Sequence, residues 1–325
     1  ISATGGDRAT LASGGHAIVD NEIMRFSRLR KTYAPAITLA GVGNRAAHNL
    51  IYDAPHAAIH FLGNDHIIEF NEIHHVLLES DDAGAVYSGR RLTFWGNKIR
   101  YNFFHDILGL PPEKVRFKKG VLAHAVYLDD DLSGIEISGN VFLRCNNTVG
   151  IKGGDNRIEN NLALDCRRGV WDMSKAPPGA YPEPLRFDQP DRLPKNLDLT
   201  VLEDILSVPY ASAVWRERYP GLADSLERTY GPWRVSVCRN ILCRTPPIET
   251  NDWMRSHGRI EDNLLLADAE APADDSALEA WIATLPGRLP GFMAIPFDKI
   301  GPRGPTGPRS GAGSAGGEPK AGARK

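Results

Sequence analysis

The chain has almost no net charge: 38 Lys and Arg stand against 40 Asp and Glu, leaving −2 over 325 residues. That balance excludes the basic footprint of nucleic-acid binding and a polybasic membrane anchor. No apolar run approaches the ~20 residues needed to cross a bilayer, so no membrane span is expected. Cysteine is scarce, at four residues, and Cys238 and Cys243 lack metal-ligand spacing. Position 1 is Ile rather than Met, and no signal-like stretch follows it. Apolar spacing near 3.6 is missing from most of the chain, which argues against helical repeats. What is present is ample hydrophobic material, 42% of residues, enough for one large core.

One short phrase recurs eight times: an apolar residue, two spacers, an asparagine, one spacer and an apolar residue. The asparagines are Asn21, Asn49, Asn71, Asn102, Asn140, Asn161, Asn240 and Asn263. The steps from Asn49 to Asn161 are 22, 31, 38 and 21 residues, and the last step is 23. A base period of 21 to 23 residues, lengthened by insertions, marks a stacked repeat whose units bury a face only against each other. The first phrase begins at Ile18 with nothing obvious upstream to cover it, which reads as a fragment.

Around each asparagine the apolar residues alternate, as in Ile68 with Phe70 and Ile99 with Tyr101, and period two means strand. The expected fold is an all-β solenoid, a parallel β-helix. Asparagine tolerates left-handed backbone angles at a corner, and its amide reaches the same amide one coil away, giving a ladder. Cys145 and Cys166, each five residues after a repeat asparagine, read as small apolar side chains in an interior column, because side chains of one column point parallel.

A second strand per coil is found by counting back from the asparagine. Its outward positions are Thr38, His60, Tyr87, Tyr127, Gly150 and Trp171. Regular coils run over residues 16–173, and the β-helix as a whole over 1–270. The stretch 174–232 breaks the repeat with a proline-rich loop, followed by helical patterns at Leu199 to Leu206, Ala211 to Tyr219 and Leu222 to Tyr230. Such an excursion reads as a wall of a binding groove or as decoration. Residues 271–300 form a cap: Ser276 to Glu279 makes a capping box, a short helix follows, and Phe292 to Ile300 reads as a final strand or an edge cover. Residues 301–325, rich in Gly and Pro, are expected to be disordered.

The chemistry concentrates on the outward row. Tyr87, Tyr127 and Trp171 are flat rings suited to stacking on sugar C–H faces, or else to packing beneath the insertion. Asp129, Asp130 and Asp131 follow Tyr127 directly, so at least one carboxyl should rise in pKa unless a cation intervenes. Lys152 falls one coil away at the position of Asp129 and is placed to supply that cation. Asp172 falls a further coil away, where strict register puts it in line with the inward Leu128 and Ile151. Asp129 and Asp172 would then be two coils apart, about 10 Å between backbones. Asp81 and Asp82 form a competing pair at a corner, expected to lie too far from Asp129 to share one substrate bond. Arg90 suits an anionic sugar, and His60 lies near the aromatic row. His74, His75 and His105 lie on a different face and read as a surface ladder, with metal binding as the alternative.

Several stretches carry a resemblance: Asp82 to Arg90, Gly96 to Ile107, Ala125 to Asp130, Val208 to Pro220 and Ile295 to Gly301. Over most of residues 40 to 301 the chain resembles bacterial right-handed parallel β-helix repeat proteins. Some of those are glycoside hydrolases of the β-helix family that includes α-L-fucosidases and xylanases. The resemblance implies a carbohydrate-active enzyme using two aspartates, matched here by the Tyr127–Asp130 run and by Asp172.

The expectation is therefore a glycoside hydrolase acting on a poly- or oligosaccharide, in an extracellular or periplasmic setting. Asp129 or Asp130 would be base or nucleophile and Asp172 the acid; His60, Tyr87, Arg90, Tyr127, Lys152 and Trp171 would hold the substrate. No metal or cofactor is assigned to that reaction. The alternatives are a polysaccharide lyase, with Lys152 as base and Arg90 or Ca²⁺ on Asp129–Asp131 neutralising a uronate, and a non-catalytic glycan-binding β-helix.

Overall fold

The computed structural model describes residues 1–110, 121–173, 199–222, 234–250 and 252–304. Among the described residues three sheets of eight strands run along the molecule, and each coil between the first and the last gives one strand to each sheet. We call them the long-strand sheet (Ile37–Val42 and its counterparts), the pre-asparagine sheet (Arg45–Ala47 and counterparts) and the post-asparagine sheet (Leu50–Tyr52 and counterparts). Every strand pairing is parallel except a short antiparallel contact of Gly6–Asp7 with Ala12–Ser13. The stacked-repeat expectation thus takes the form of a β-solenoid.

The coils share one interior. In the pre-asparagine sheet Ile18, Ala46, Ile68, Ile99, Ile137, Ile158 and Val237 stand in one column. In the post-asparagine sheet the column is Ile51, Ile73, Phe104 and Phe142, and the two phenyl rings stack at 5.3 Å. Nearly all of these side chains are buried in one continuous cluster. Each contributes roughly 1.5–3 kcal/mol of apolar burial, and only neighbouring coils supply the partner surface.

The asparagine ladder is present. Each Nδ2 donates to the Oδ1 of the next coil, from Asn21 through Asn263, at 2.8–3.0 Å. The left-handed residue at the corner is the one before each asparagine, not the asparagine itself. Asp20, His48, Phe70, Tyr101, Asn160, Arg239 and Asp262 all have φ between 53° and 58°. The reason is the side-chain bond back to the carbonyl two residues earlier, as from Asn71 to Glu69 O at 3.1 Å, which closes a bend around the intervening residue. A second left-handed corner follows four residues after each asparagine but Asn263, at Arg25, Asp53, His75, Asp106, Arg144, Asp165 and Arg244.

Two boundaries differ from expectation, and one open alternative is decided. The first coil begins with a strand at Ser2–Asp7, upstream of residue 16, whose SATGGD sequence carries no apolar alternation. The Ser276–Glu279 capping box does not form. Asp274 takes the Ser276 N–H, a short 3-10 turn follows, and the helix runs Leu278–Ile282. Phe292 to Ile300 makes no strand but a cover with a 3-10 turn at Phe297–Lys299. The cap packs Leu278, Ile282, Leu285, Phe292 and Ile295 on the outer face of the post-asparagine sheet, against Leu143, Leu162, Leu164 and Ile241. Gly301 to Gly304 continue along the coils, with Gly301 N–H donating to Phe70 O and Arg303 paired to Asp20 at 2.7 Å. The rest of the tail, 305–325, lies outside the described residues.

Within the interruption, helices Leu199–Leu206 and Ala213–Arg218 are described; the proline-rich start and the pattern from 223 onward are not. Trp215 is fully buried, its indole N–H donating to Arg8 O at 2.9 Å, and it packs with Leu92, Trp95 and Tyr219. Asp204 accepts from both the N–H and hydroxyl of Thr93 at 2.8 Å. The described helices dock on this corner rather than over Tyr127. Among the described residues no helix is long and apolar enough to cross a membrane.

Candidate functional site

The outward row of the long-strand sheet is Thr38, His60, Tyr87, Tyr127, Gly150 and Trp171, coil by coil. Strict alternation along the strand Ala123–Asp129 fails once. Ala125 and Val126 are consecutive yet both lie in the core, and the Ala83–Gly89 strand repeats this with Ala85 and Val86. The strands pair residue for residue across this break in alternation, and it turns everything before it to the other face. It brings His124 onto the outer face, where its ring stacks on Tyr127 at 4.5 Å and lies 5.9 Å from Trp171. Gly150 makes that possible, since a Cβ there would stand 2.6 Å from the His124 ring.

The same break in alternation brings Asp82 to this face. The Tyr127 hydroxyl donates to Asp82 Oδ1 at 3.0 Å, and the Tyr87 hydroxyl donates to Asp129 Oδ2 at 3.0 Å. The Asp129 carboxylate also lies close enough to the Tyr127 hydroxyl to be held ionised by it, so that hydroxyl stands between two carboxylates. Gly89, opposite Asp129, leaves room for this approach, because a Cβ would come within 2.8 Å of the Asp129 Cβ.

Lys152 supplies the cation that the acidic run requires. Its ammonium lies 2.5 Å from Asp129 and 3.3 Å from Asp130, and 5.3 Å from the centre of the Tyr127 ring. Burial works to raise the Asp129 carboxyl, but the Lys152 ammonium and the Tyr127 and Tyr87 hydroxyls overrule it and hold it below the usual range. Burial would also lower Lys152, and Asp129 overrules that in turn, so the ammonium stays charged. Burial, then the adjacent Asp129, pushes both tyrosines up, so they remain hydroxyl donors. Arg90 pairs with Asp130 at 3.2 Å in a largely exposed contact that adds little stability.

The structure therefore brings together Tyr87, Arg90, Tyr127, Asp129, Asp130 and Lys152. His60 touches the group through Tyr87, ring centres 5.2 Å apart, and Trp171 joins through His124. The Arg168 guanidinium covers the Trp171 ring at 4.2 Å. Two expectations are corrected. Tyr127 is not an exposed platform; its ring is 1% exposed, packed between His124, Tyr87 and Lys152. Asp172 does not share a face with Asp129. It keeps register with Ile151 and Leu128 in the inward row, whereas Asp129 stands on the outward side with Tyr127. Asp172 is buried there, and pleat parity separates the two carboxylates.

The Asp129–Asp131 run does not fit Ca²⁺ as it stands, because Lys152 already occupies the position between Asp129 and Asp130. Asp82, named from the sequence in a competing pair expected to lie too far from Asp129, is instead joined to the same tyrosine, Tyr127, at 3.0 Å. A separate cleft of about 280 Å³ lies by Trp95, Tyr219, Arg218 and Asp155, and none of the sequence-derived candidates lines it.

No family model matches this chain, and no curated protein matches it. Among solved structures it is similar to a PL6 family polysaccharide lyase from Pseudopedobacter saltans, at 12% identity and a TM-score of 0.23, over 84% of this chain and 94% of that one. At that level the likeness transfers no residue from one chain to the other.

Proposed function

We propose that this chain is a carbohydrate-active, right-handed parallel β-helix protein that hydrolyses a glycosidic bond of a poly- or oligosaccharide outside the cytoplasm. Right-handed crossovers are the rule for parallel strands joined within one sheet. The observation that carries the chemistry is the pair Asp82 and Asp129 on one face, with the Tyr127 hydroxyl between them. Two carboxylates in different surroundings are what hydrolysis with an acid and a base or nucleophile needs. Asp129, held ionised by Lys152 and two hydroxyls, takes the base or nucleophile role. Asp82, more exposed, takes the acid role in place of Asp172. Tyr87 and Trp171, both only half-buried, with His60 and Arg90 beside the row, offer ring faces and polar groups to the sugar.

Elimination is the second reading, favoured by one observation: Lys152 and Arg90 converge on Asp130, forming a cationic pair suited to a uronate carboxylate. The Lys152 ammonium, held charged by its carboxylates, is poorly disposed to act as the base, which ranks this reading below hydrolysis.

The test is a broad glycan panel read by mass spectrometry. Products carrying one added water support hydrolysis. Products that together conserve the substrate mass and absorb in the ultraviolet replace it with elimination. Binding without turnover across the panel refutes both and leaves a glycan-binding β-helix.

A further inference from the structure

We propose that Glu72, His74 and His105 form a binding site for a divalent transition metal, of the kind that takes imidazole and carboxylate ligands, on the outer face of the post-asparagine sheet. The site is independent of the sugar site, which lies on the long-strand sheet.

The placement follows from strand geometry. Glu72 and His74 are two apart on one strand and flank the buried Ile73, so both project outward. His105 is the in-register neighbour of His74 one coil on, with Phe104 buried beside it. One ligand atom from each of the three lies within 4.8 Å of the others.

The bonding of His105 makes the case for a cation. Its Nδ1 lies 2.8 Å from Asp106 Oδ2 and donates to that carboxylate. A neutral imidazole has only one N–H, so Nε2 then carries a lone pair. Yet Nε2 lies 3.3 Å from Glu72 Oε1, another acceptor. Two lone pairs facing each other repel unless a positive centre stands between them. A tetrahedral ion with bonds of about 2.0–2.1 Å puts neighbouring ligand atoms roughly 3.3 Å apart, which is this separation.

Two further features fit a metal ligand set. Asp106 is gripped by Arg144, Nε to Oδ1 at 2.7 Å and Nη2 to Oδ2 at 3.0 Å, so the His105 ring is oriented by a fixed carboxylate. Such a carboxylate–histidine pair is the usual support behind a metal-bound imidazole. His74 Nδ1 lies 2.7 Å from His75 Nδ1, and the tautomer in which His74 donates leaves its Nε2 lone pair open. The His74 ring stacks on His105 at 4.5 Å, which holds the two imidazoles side by side at the site. A water or His75 completes the set. Two imidazoles and one carboxylate select Zn²⁺, Co²⁺ or Ni²⁺ over Ca²⁺ or Mg²⁺.

The competing occupant of the gap is a proton on His105, and the experiment separates the two. Full-length chain, stripped with chelator, is titrated at pH 7.5 with Zn²⁺ by calorimetry and with Co²⁺ by visible absorption. The expected result is one ion per chain and an intense tetrahedral Co²⁺ band. Glu72→Gln, the mildest change, should weaken binding at least ~10-fold, as should Asp106→Asn through the supporting carboxylate, with the circular dichroism of the fold retained. Ca²⁺ should not compete. Absence of saturable Zn²⁺ binding at that pH, or binding that Glu72→Gln, His74→Gln and His105→Gln all leave unchanged, overturns the proposal and leaves a proton-bridged pair.

Discussion

The Tyr127 hydroxyl donates to Asp82 Oδ1 at 3.0 Å, although 45 residues separate them in the chain. This one bond gathers onto one face two carboxylates, Asp82 and Asp129, that the linear order keeps far apart. Asp172 stands apart from both, buried in the inward row.

Asp129→Asn and Asp82→Asn should each lower the turnover number by ~10²–10⁴-fold on the substrate found in the glycan panel, the range for losing an acid or base. Asp172→Asn should leave turnover near that of the parent chain. Steady-state kinetics on purified variants decides this, and full activity in Asp129→Asn would end the assignment.

Lys152 sets the protonation of Asp129. In Lys152→Met the ammonium is gone, burial acts unopposed by it, and the Asp129 carboxyl rises. A reaction that needs ionised Asp129 then has its acidic limb moved to higher pH. The measurement is kcat/KM against pH for parent and variant; an unmoved acidic limb would place the ionisable group elsewhere.

The ladder should be stiffest in its middle. Asn102 accepts from Asn71 N–H and Nδ2 at 3.0 and 2.9 Å and donates to Ile68 O, Arg100 O and Asn140 Oδ1. Asn102→Ala strands several buried groups, at about 1–3 kcal/mol each, so a total loss of roughly 3–5 kcal/mol is expected. Asn21→Ala, at the less buried end rung, should cost clearly less. Urea denaturation of both variants measures the difference.

Acid should weaken the fold through its buried histidines. Burial, then the neighbouring His56, pushes His60 down from 6.5 to about 4, and burial pushes His124 down to about 3. Unfolded, each takes its proton near 6.5. The stability they lend is therefore complete above pH 6.5 and is lost as pH falls toward 4 and below. For His60 alone the linkage is on the order of 3 kcal/mol. Thermal melts from pH 7 to 4 should fall, and the slope should flatten in His60→Asn and His124→Asn. Equal slopes in all three chains would show that other groups govern acid unfolding.

The rows of the long-strand sheet were readable by counting back from each asparagine, because stacked coils reuse one period and in-register neighbours recur at fixed offsets. Asn71 and Asn102 announced their ladder in the same way, and Lys152 was placed beside Asp129 by register alone. The first strand, Ser2–Asp7, was not readable, because its Gly and small residues carry no alternation and its place depends on pairing with Ile37–Val42. The corner angle was assigned to the asparagines, whereas the residue before each one adopts it, since the amide bonds backward across the bend.

The amino-acid sequence by itself determined the repeat, the parallel stacking and the aromatic row, because each is written locally and many times over. Tertiary structure alone decided which carboxylates meet. The break in alternation at Ala125 and Val126 alters no periodic signal, yet it flips every side chain before it to the other face. It set Asp82 and His124 beside Tyr127, while plain alternation from Val170 through Trp171 kept Asp172 inside.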